Sequence, residues 1–365
     1  MFKVKVIGAG SIGNHLANAS RAMGWDVAIC DIDAAALERT RNDIYPGRYG
    51  VWDENIQLFL SSEAPKGGFD LIFVGTPPDS HMDLAIAAID ESPKAILIEK
   101  PLSGPGLERA QEFVEKAAAA GIKSFVGYDH VVGSASQRVG ELIDRNVTGR
   151  LETLDVEIRE HWGGIFEAHP WLDGPKDTYL GYWKCGGGSC GEHSHGINLW
   201  QHFARLAGAG RIVEVSSVMD YVQDSEVDYD RLCLMNVKTE NGLVGRIVQD
   251  VVTKPPRKWA RLQGKSGHID WYCNRNPGED AVCWTDGTVA EQDEIFAKIR
   301  PDDFILELKH IEAVLNGDLA DSGIAVERGM DTMLVIAAAY ESAATGKTVR
   351  IDYSKGYIPE ALKTT

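Results

Sequence analysis

Hydrophobic residues in the first third of the chain fall into short runs of strand length, separated by longer stretches with helical composition. Positions 3–7, 26–30, 69–74, 95–98 and 124–128 are strand-like. The runs at 69–74 and 95–98 are almost wholly apolar, as parallel strands buried on both faces are. Between the runs, 14–23, 34–41, 81–89 and 107–120 read as helices, while 45–54, with Pro46, Gly47 and Gly50, reads as a loop. Strands alternating with helices predict a doubly wound parallel sheet, whose ligands sit at the carboxyl ends of the strands. The texture changes near residue 128. Helices at 138–144 and 197–207 and a strand at 151–160 frame a loop over 161–184; Ile197, Trp200, Phe203 and Leu206 share one face of the second helix. Several strands follow. Asn241-Gly242 joins 232–239 to 243–252, and Asp286-Gly287 joins 281–285 to 288–290, both strong hairpin signals. Phe304, Leu308, Ile311 and Leu315 mark an amphipathic helix, and a last helix over 327–344 stops at Gly346. The expected fold is α/β, with a Rossmann doubly wound parallel sheet over 1–127 and an α+β domain with a mainly antiparallel sheet over 128–365.

The first run leads into a specific chemistry. Residues 3–7 run into Gly8-Ala9-Gly10-Ser11-Ile12-Gly13, a helix follows, and the second strand ends at Asp31. Strand, glycine turn, helix, strand and acid, in that order, form the pattern of a dinucleotide site. Gly8 permits the tight turn, Gly10 lets backbone approach a pyrophosphate, and Gly13 lets helix and strand pack closely. The helix N-terminus then offers free N–H groups to the phosphates. A carboxylate at Asp31 can accept both ribose hydroxyls of NAD and would repel a 2′-phosphate, so NAD is the expected cofactor. Expected contacts in this stretch are Gly8, Gly10, Ser11, Ile12, Gly13, Asp31 and Ile32. Thr76, Pro77, Pro78 and His81 join them at the end of the third run, and Glu99 and Lys100 at the end of the fourth.

Composition removes several other classes. With 365 residues, 25% charged and 44% hydrophobic, the chain is long enough for two domains and ordinary for a globular protein. A formal net charge of −17 disfavours nucleic acid and anionic membrane surfaces as partners. No apolar run approaches the roughly 20 residues of a membrane span. The first strand begins at residue 2 or 3, so no signal peptide is expected. Six cysteines without a Cys-x-x-Cys pair predict a reduced, cytoplasmic protein.

Two clusters carry candidate reaction chemistry. Glu99-Lys100-Pro101 closes a strand, and a lysine cation beside an alcohol oxygen eases loss of its proton as hydride departs. The bland alternative is a surface lysine before a turn. The second cluster is Cys185-Gly186-Gly187-Gly188-Ser189-Cys190-Gly191-Glu192-His193-Ser194-His195. Its glycines let backbone pass close to a ligand, and its histidines and Glu192 are acid/base candidates near neutral pH. Cys185, Cys190, His193 and His195 could instead ligate zinc, but their spacing fits no standard zinc pattern, and no metal is expected. The loop over 161–184 is rich in aromatic rings with polar handles, which suit a carbohydrate and serve equally well as core. Its candidate substrate contacts are His161, Lys176, Tyr179 and Trp183.

Gly8-Ala9-Gly10-Ser11-Ile12-Gly13, Thr76-Pro77-Pro78 with His81, Glu99-Lys100-Pro101, and Gly186-Gly187-Gly188 followed by His195 together resemble one family. It is the Gfo/Idh/MocA oxidoreductases, the glucose-fructose oxidoreductase and inositol dehydrogenase group, and the resemblance covers nearly the whole chain. It implies NAD-dependent hydride transfer to or from a hydroxyl or carbonyl carbon of a sugar, cyclitol or sugar derivative. It further implies that Lys100 contacts the reacting oxygen, that His195 is the acid/base, and that the Lys100–Pro101 bond is cis. Both residues are then expected at one site beside the nicotinamide C4, with Glu192 a third catalytic candidate and His193 a further substrate contact. A homodimer or homotetramer is the expected assembly. The sequence departs from the family pattern in three places. Gly191 stands where many members carry aspartate, Asn198 stands at a second such position, and His130-Val131 replaces a common Arg-Phe. Two other functions share this architecture: redox-neutral glycoside hydrolysis, and cofactor sensing by a regulator that is not a working dehydrogenase.

Overall fold

Val4 and Val6 of β1 (Lys3–Ile7) have no exposed surface, because the strand lies inside a six-stranded parallel sheet. The structure, a computed structural model, describes every residue except 168, 170 and 300. β2 (Asp26–Asp31), β3 (Ile56–Leu60), β4 (Leu71–Val74), β5 (Ala95–Ile98) and β6 (Lys123–Val126) complete the sheet in the order β3-β2-β1-β4-β5-β6. Every residue of β4 and β5 is buried, which is why these runs show no alternation. The strand order reverses between β1 and β4, the switch point at which doubly wound sheets open a ligand crevice. α1 (Ser11–Ala22) crosses from β1 to β2, and α2 (Ala34–Arg39) follows β2.

Pro46 and Gly47 do not produce the loop expected at 45–54. Tyr45–Tyr49 is a short helix, α3, with Pro46 in its first turn, where the missing N–H has no helical partner to lose. Tertiary bonds hold it: the Arg48 guanidinium donates to Ser11 O at 2.9 Å and to Ser11 Oγ at 2.8 Å. The short strand β3 carries no clear sequence signal either, since only Ile56 of its five residues is buried. α4 (His81–Ile89) and α5 (Ala110–Ala119) complete the crossovers.

The first of two units comprises Met1–Leu102, Arg109–Asp129 and a late segment, Arg300–Glu327. The late segment contributes a helix, Asp302–Asn316, that buries Phe304, Leu308 and Ile311 and stacks Phe304 on His15, with centroids 4.9 Å apart and planes 9° apart. It also extends the sheet's edge: Val126 N–H donates to Ile324 O at 2.9 Å.

The second unit, Ser103–Glu108, His130–Ile299 and Arg328–Thr365, is built on a ten-stranded sheet. Its strands are β7 (Leu151–Arg159), β8 (Ile212–Gln223), β9 (Asp228–Thr239), β10 (Val244–Asp250) and β11 (Arg257–Gly264), then β12 (His268–Asn276), β13 (Glu279–Thr285), β14 (Gln292–Ala297), β15 (Val349–Ile351) and β16 (Leu362–Thr364). They run in the order β14-β13-β12-β11-β7-β10-β9-β8-β15-β16, and β7 with β10 is parallel among antiparallel neighbours. Asn241-Gly242 makes the expected tight turn, with Gly242 at φ 85°. At Asp286-Gly287 the second strand starts later than expected, at Gln292. Asp286 Oδ1 accepts N–H bonds from Thr288 and Val289, so those residues are spent on the turn.

The helices of this unit begin with α6 (Ser134–Asp144) and α7 (Gly163–Glu167), the latter inside the expected loop; α8 (Gly188–Glu192) and α9 (His195–Leu206) follow. α10 is the helix Asp302–Asn316 already described, and α11 is Val326–Thr345. α9 buries Ile197, Trp200 and Phe203, and Trp200 Nε1 donates to Leu154 O at 2.8 Å. Leu206, expected on the same face, is exposed at the helix end. Among the described residues no helix is long and apolar enough to cross a membrane.

Candidate active site

In the first unit the glycine turn is shaped by close approaches. Gly8 leaves β1 at φ +107°, and a Cβ there would stand 2.8 Å from Gly75 O. A Cβ at Gly13 would stand 1.9 Å from Gly8 O, so only glycine lets α1 start this near β1. At Gly10, the N-cap of α1, an added Cβ would meet open space. Ser11, Ile12 and Gly13 form the helix's first turn, whose N–H groups have no intrahelical acceptor. Behind the turn, Thr40 Oγ1 donates to Ala9 O at 2.6 Å and Asn14 Nδ2 to Gly10 O at 2.8 Å. Asp31 ends β2, its Oδ2 accepting Ala9 N–H at 2.7 Å and its Oδ1 accepting Asp33 N–H at 2.9 Å. Each oxygen keeps a lone pair with which to accept a ribose hydroxyl. Ile32, beside it, is 89% exposed, an apolar surface at a strand end. Donor turn, acid and apolar neighbour fit a dinucleotide. Arg48 escaped sequence reading, because its place on Ser11 depends on α3 packing against α1 and no local motif marks it.

The strand ends beyond the switch point hold the next candidates. Thr76 Oγ1 and Ser80 Oγ share a hydrogen bond at 2.7 Å, Pro77 is exposed, and Pro78 is buried. His81 is fully buried, with Nε2 2.6 Å from Thr76 O and Nδ1 2.9 Å from Pro101 O. One ring thereby ties the end of β4 to the peptide that follows Lys100. Burial pulls this imidazole down to about 4 against both carbonyls, so it is neutral at ordinary pH and donates to one of them at a time. Glu99 is buried against Gly127, where a Cβ would stand 2.7 Å from its Oε1. Lys100 is half-buried at the carboxyl end of β5, and the Lys100–Pro101 bond is cis.

In the second unit, two strands grip the segment that carries the histidines. Asp230 of β9 accepts Ser189 Oγ at 2.6 Å, Cys190 N–H at 2.8 Å and Tyr340 OH at 2.6 Å. Burial lifts its carboxyl to about 6 against these donors. Gln249 of β10 donates Nε2 to Ser189 O at 2.9 Å and to Cys190 O at 3.2 Å. α8 is therefore fixed through both the N–H and the C=O groups of its backbone; Glu192 is its last residue, and His193 and His195 follow directly from it. Glu192 accepts Tyr179 OH at 2.7 Å, which joins two of the expected site residues. His193 is buried, whereas His195, first residue of α9, is half-buried.

Three residues that sequence reading missed share this region. The His130 ring lies on His195, with centroids 4.3 Å apart and planes 19° apart. Glu160, just past β7, pairs with Lys258 at 3.1 Å. Burial opposes its charge, but Lys258, His193 and His130 outweigh that and hold Glu160 at about 2. The one sequence signal for any of them was His130-Val131 standing in place of Arg-Phe.

The remaining loop candidates have structural partners. Trp183 stacks on Tyr340 at 4.6 Å and donates Nε1 to Asp228 at 3.2 Å. Lys176 is exposed and paired with Glu226 at 3.2 Å, and His161 Nδ1 accepts Gly163 N–H at 2.8 Å. Burial first, and then the neighbouring Cys233, raises the Cys190 thiol well above the ordinary thiol range. Among the described residues, no group of close metal-ligating atoms joins Cys185 or Cys190 to His193 and His195.

Residues 2–128 match the profile of the Gfo/Idh/MocA oxidoreductase family, NAD-binding Rossmann fold. A curated relative, Oxidoreductase P35 of Formosa agariphila, is 25% identical over 130 residues, 34% of this chain and 39% of the relative. The match thus spans well under half the length of that relative. Among solved structures, levoglucosan dehydrogenase in complex with NADH and levoglucosan has a TM-score of 0.75 at 18% identity, over 96% of this chain and 99% of that one. The WlbA dehydrogenase from Bordetella pertussis, in complex with NADH and UDP-GlcNAcA, gives 0.70 at 19% identity, over 96% and 98%. Aldose-aldose oxidoreductase from Caulobacter crescentus, complexed with glycerol, gives 0.74 at 17% identity, over 96% and 99%. These likenesses show the fold.

Proposed function

Because residues 2–128 match the profile of the Gfo/Idh/MocA oxidoreductase family, we propose that the chain is a member of that family and an NAD-dependent dehydrogenase or reductase of a sugar, cyclitol or sugar derivative. The observation that carries this reading is the place of Lys100. It stands at the carboxyl end of β5, its following peptide tied by His81 to the end of β4, inside the domain that the family profile matches. NAD, when bound there, supplies the hydride acceptor. Asp31 accepts from the ribose hydroxyls, and the first turn of α1 donates to the pyrophosphate. The Lys100 ammonium donates to the reacting oxygen and favours the negative charge that develops on it. A lysine kept charged in that role cannot also accept the proton. His195 of the second unit takes it, as a base of near-neutral character does. Glu192, held by Tyr179, is proposed to orient that end of the site, and His161, Lys176, Trp183 and His193 to contact substrate.

Levoglucosan and UDP-GlcNAcA in the complexes named above support a carbohydrate-like substrate here. A cytoplasmic homodimer or homotetramer is the proposed form of the protein. The test is a screen of sugars, cyclitols and nucleotide sugars for NADH production by the purified protein. Turnover of one of them supports the reading. Glycoside cleavage without net NADH, or tight NAD binding with no turnover across the screen, sinks it in favour of a hydrolase or a sensor.

A further inference from the structure

We propose that His130 is a positioning residue for His195: the two rings form a stacked pair that takes up at most one proton beyond its neutral form, and His130 is the ring that carries that charge. This rests on His195 being the base. The geometry that points to it is the near-parallel stack, 4.3 Å between centroids and 19° between planes. Two imidazolium rings at that separation would repel strongly in a half-buried site, so the doubly charged pair is excluded near neutral pH. The surroundings decide which ring takes the charge. Glu160, ionised and paired with Lys258 at 3.1 Å, attracts both His130 and His193. An Asp129 carboxyl oxygen and a nitrogen of each ring lie within 4.8 Å of one another, so Asp129 favours one positive charge on the pair and leaves Glu160 to decide between the rings. Glu192 on α8 is engaged by the Tyr179 hydroxyl. The uncharged Trp271 ring lies 6.1 Å from His130, tilted by 44°.

The backbone is seated too, since His130 O accepts Ser136 Oγ of α6 at 2.6 Å. A charged His130 keeps His195 neutral, which is the form that accepts a proton from an alcohol. The flat contact also fixes the plane of the base. Neither role requires His130 to touch substrate.

The experiment is the pH profile of kcat/KM for the intact protein with its best alcohol substrate, for wild type, His130→Phe, His130→Ala and His195→Asn. Phenylalanine keeps a ring in the stack but carries no charge. His195 then holds its proton more tightly, and the acidic limb should move upward by about one pH unit or more. Alanine loses both charge and plane, so the limb should move and kcat should also fall by about tenfold, with NADH affinity and Tm near the parent's. If the phenylalanine variant does not accumulate as folded protein, His130→Gln carries the same expectation for the limb. An unmoved or downward-shifted limb in the charge-removing variants, while His195→Asn abolishes it, overturns the stacked pair and leaves the base reading intact. If His195→Asn keeps the parental rate and limb, the base reading itself fails and the stack falls with it.

Discussion

At Asp31 both carboxylate oxygens already accept backbone N–H groups, from Ala9 and Asp33, so the side chain is set before any ribose arrives. A 2′-phosphate brought to it would face a fixed negative charge. The expected preference in kcat/KM is at least tenfold for NAD over NADP, about 1.4 kcal/mol; a higher value with NADP would contradict the assignment. Lys100→Met keeps the apolar stem and removes the charge, so kcat should fall by ~10² or more while Tm and NADH affinity stay close to the parent's. Glu307 offers a test of stability in place of rate. It is fully buried, and neither carboxyl oxygen has a hydrogen-bond partner among the described residues. Burial first, then the carboxylates of Glu99, Asp129 and Asp303, raises it well above its ordinary value of 4.5. The folded protein therefore keeps a proton that the unfolded chain releases above that pH. Its contribution is fully present below the unfolded value and is lost as pH rises toward the folded one. Glu307→Gln removes that dependence, so the variant's Tm relative to wild type should improve by a few degrees between pH 5 and pH 8. A constant difference across that range would show that Glu307 is already ionised.

Among the elements, α8 is one whose sequence has little freedom. Gly188 sits at φ +74°, and a Cβ there would stand 2.0 Å from Asp230 Oδ1. Gly188→Ala must therefore displace the carboxylate that accepts Ser189, Cys190 and Tyr340. Strain and broken bonds together should cost roughly 2–4 kcal/mol. Lower Tm and kcat with NADH affinity retained is the expected result, read by thermal melts and fluorescence titration; unchanged melting would refute the clamp. Elements were legible in the sequence where the pattern was local. The runs of β4 and β5 announced themselves by unbroken apolarity, and Asn241-Gly242 by the positive φ its turn needs. α3 did not, because Pro46 and Gly47 argue for a loop until Arg48 reaches Ser11 and Tyr49 reaches His15 Nδ1 at 2.6 Å.

For the molecule as a whole, the first unit is not one continuous piece of chain. It is completed by the segment holding α10, which buries Phe304, Leu308 and Ile311. Three such side chains are worth roughly 5–9 kcal/mol of burial, as large as the net stability of many domains. A fragment of residues 1–129 should therefore be unstable and bind NADH poorly, although it carries the whole glycine turn. Circular dichroism and NADH titration of the fragment, against the full chain, check this; a cooperative melt near the parental Tm would disprove it.

The sequence by itself determined the parallel sheet, the glycine turn with its acid, the Glu-Lys-Pro strand end and the glycine-rich approach to His195. Each of these depends on backbone conformation or burial over a few neighbouring residues, and such constraints leave a trace in residue type and spacing. Only the tertiary structure decided that Arg48 serves Ser11, that Phe304 covers His15, that Glu160 meets Lys258, and that His130 lies on His195. Those partners come from different strands, helices and turns. Which of many arginines, phenylalanines or histidines arrives at a given place is fixed by packing and by the balance of burial against charge, and neither leaves a mark in the local pattern.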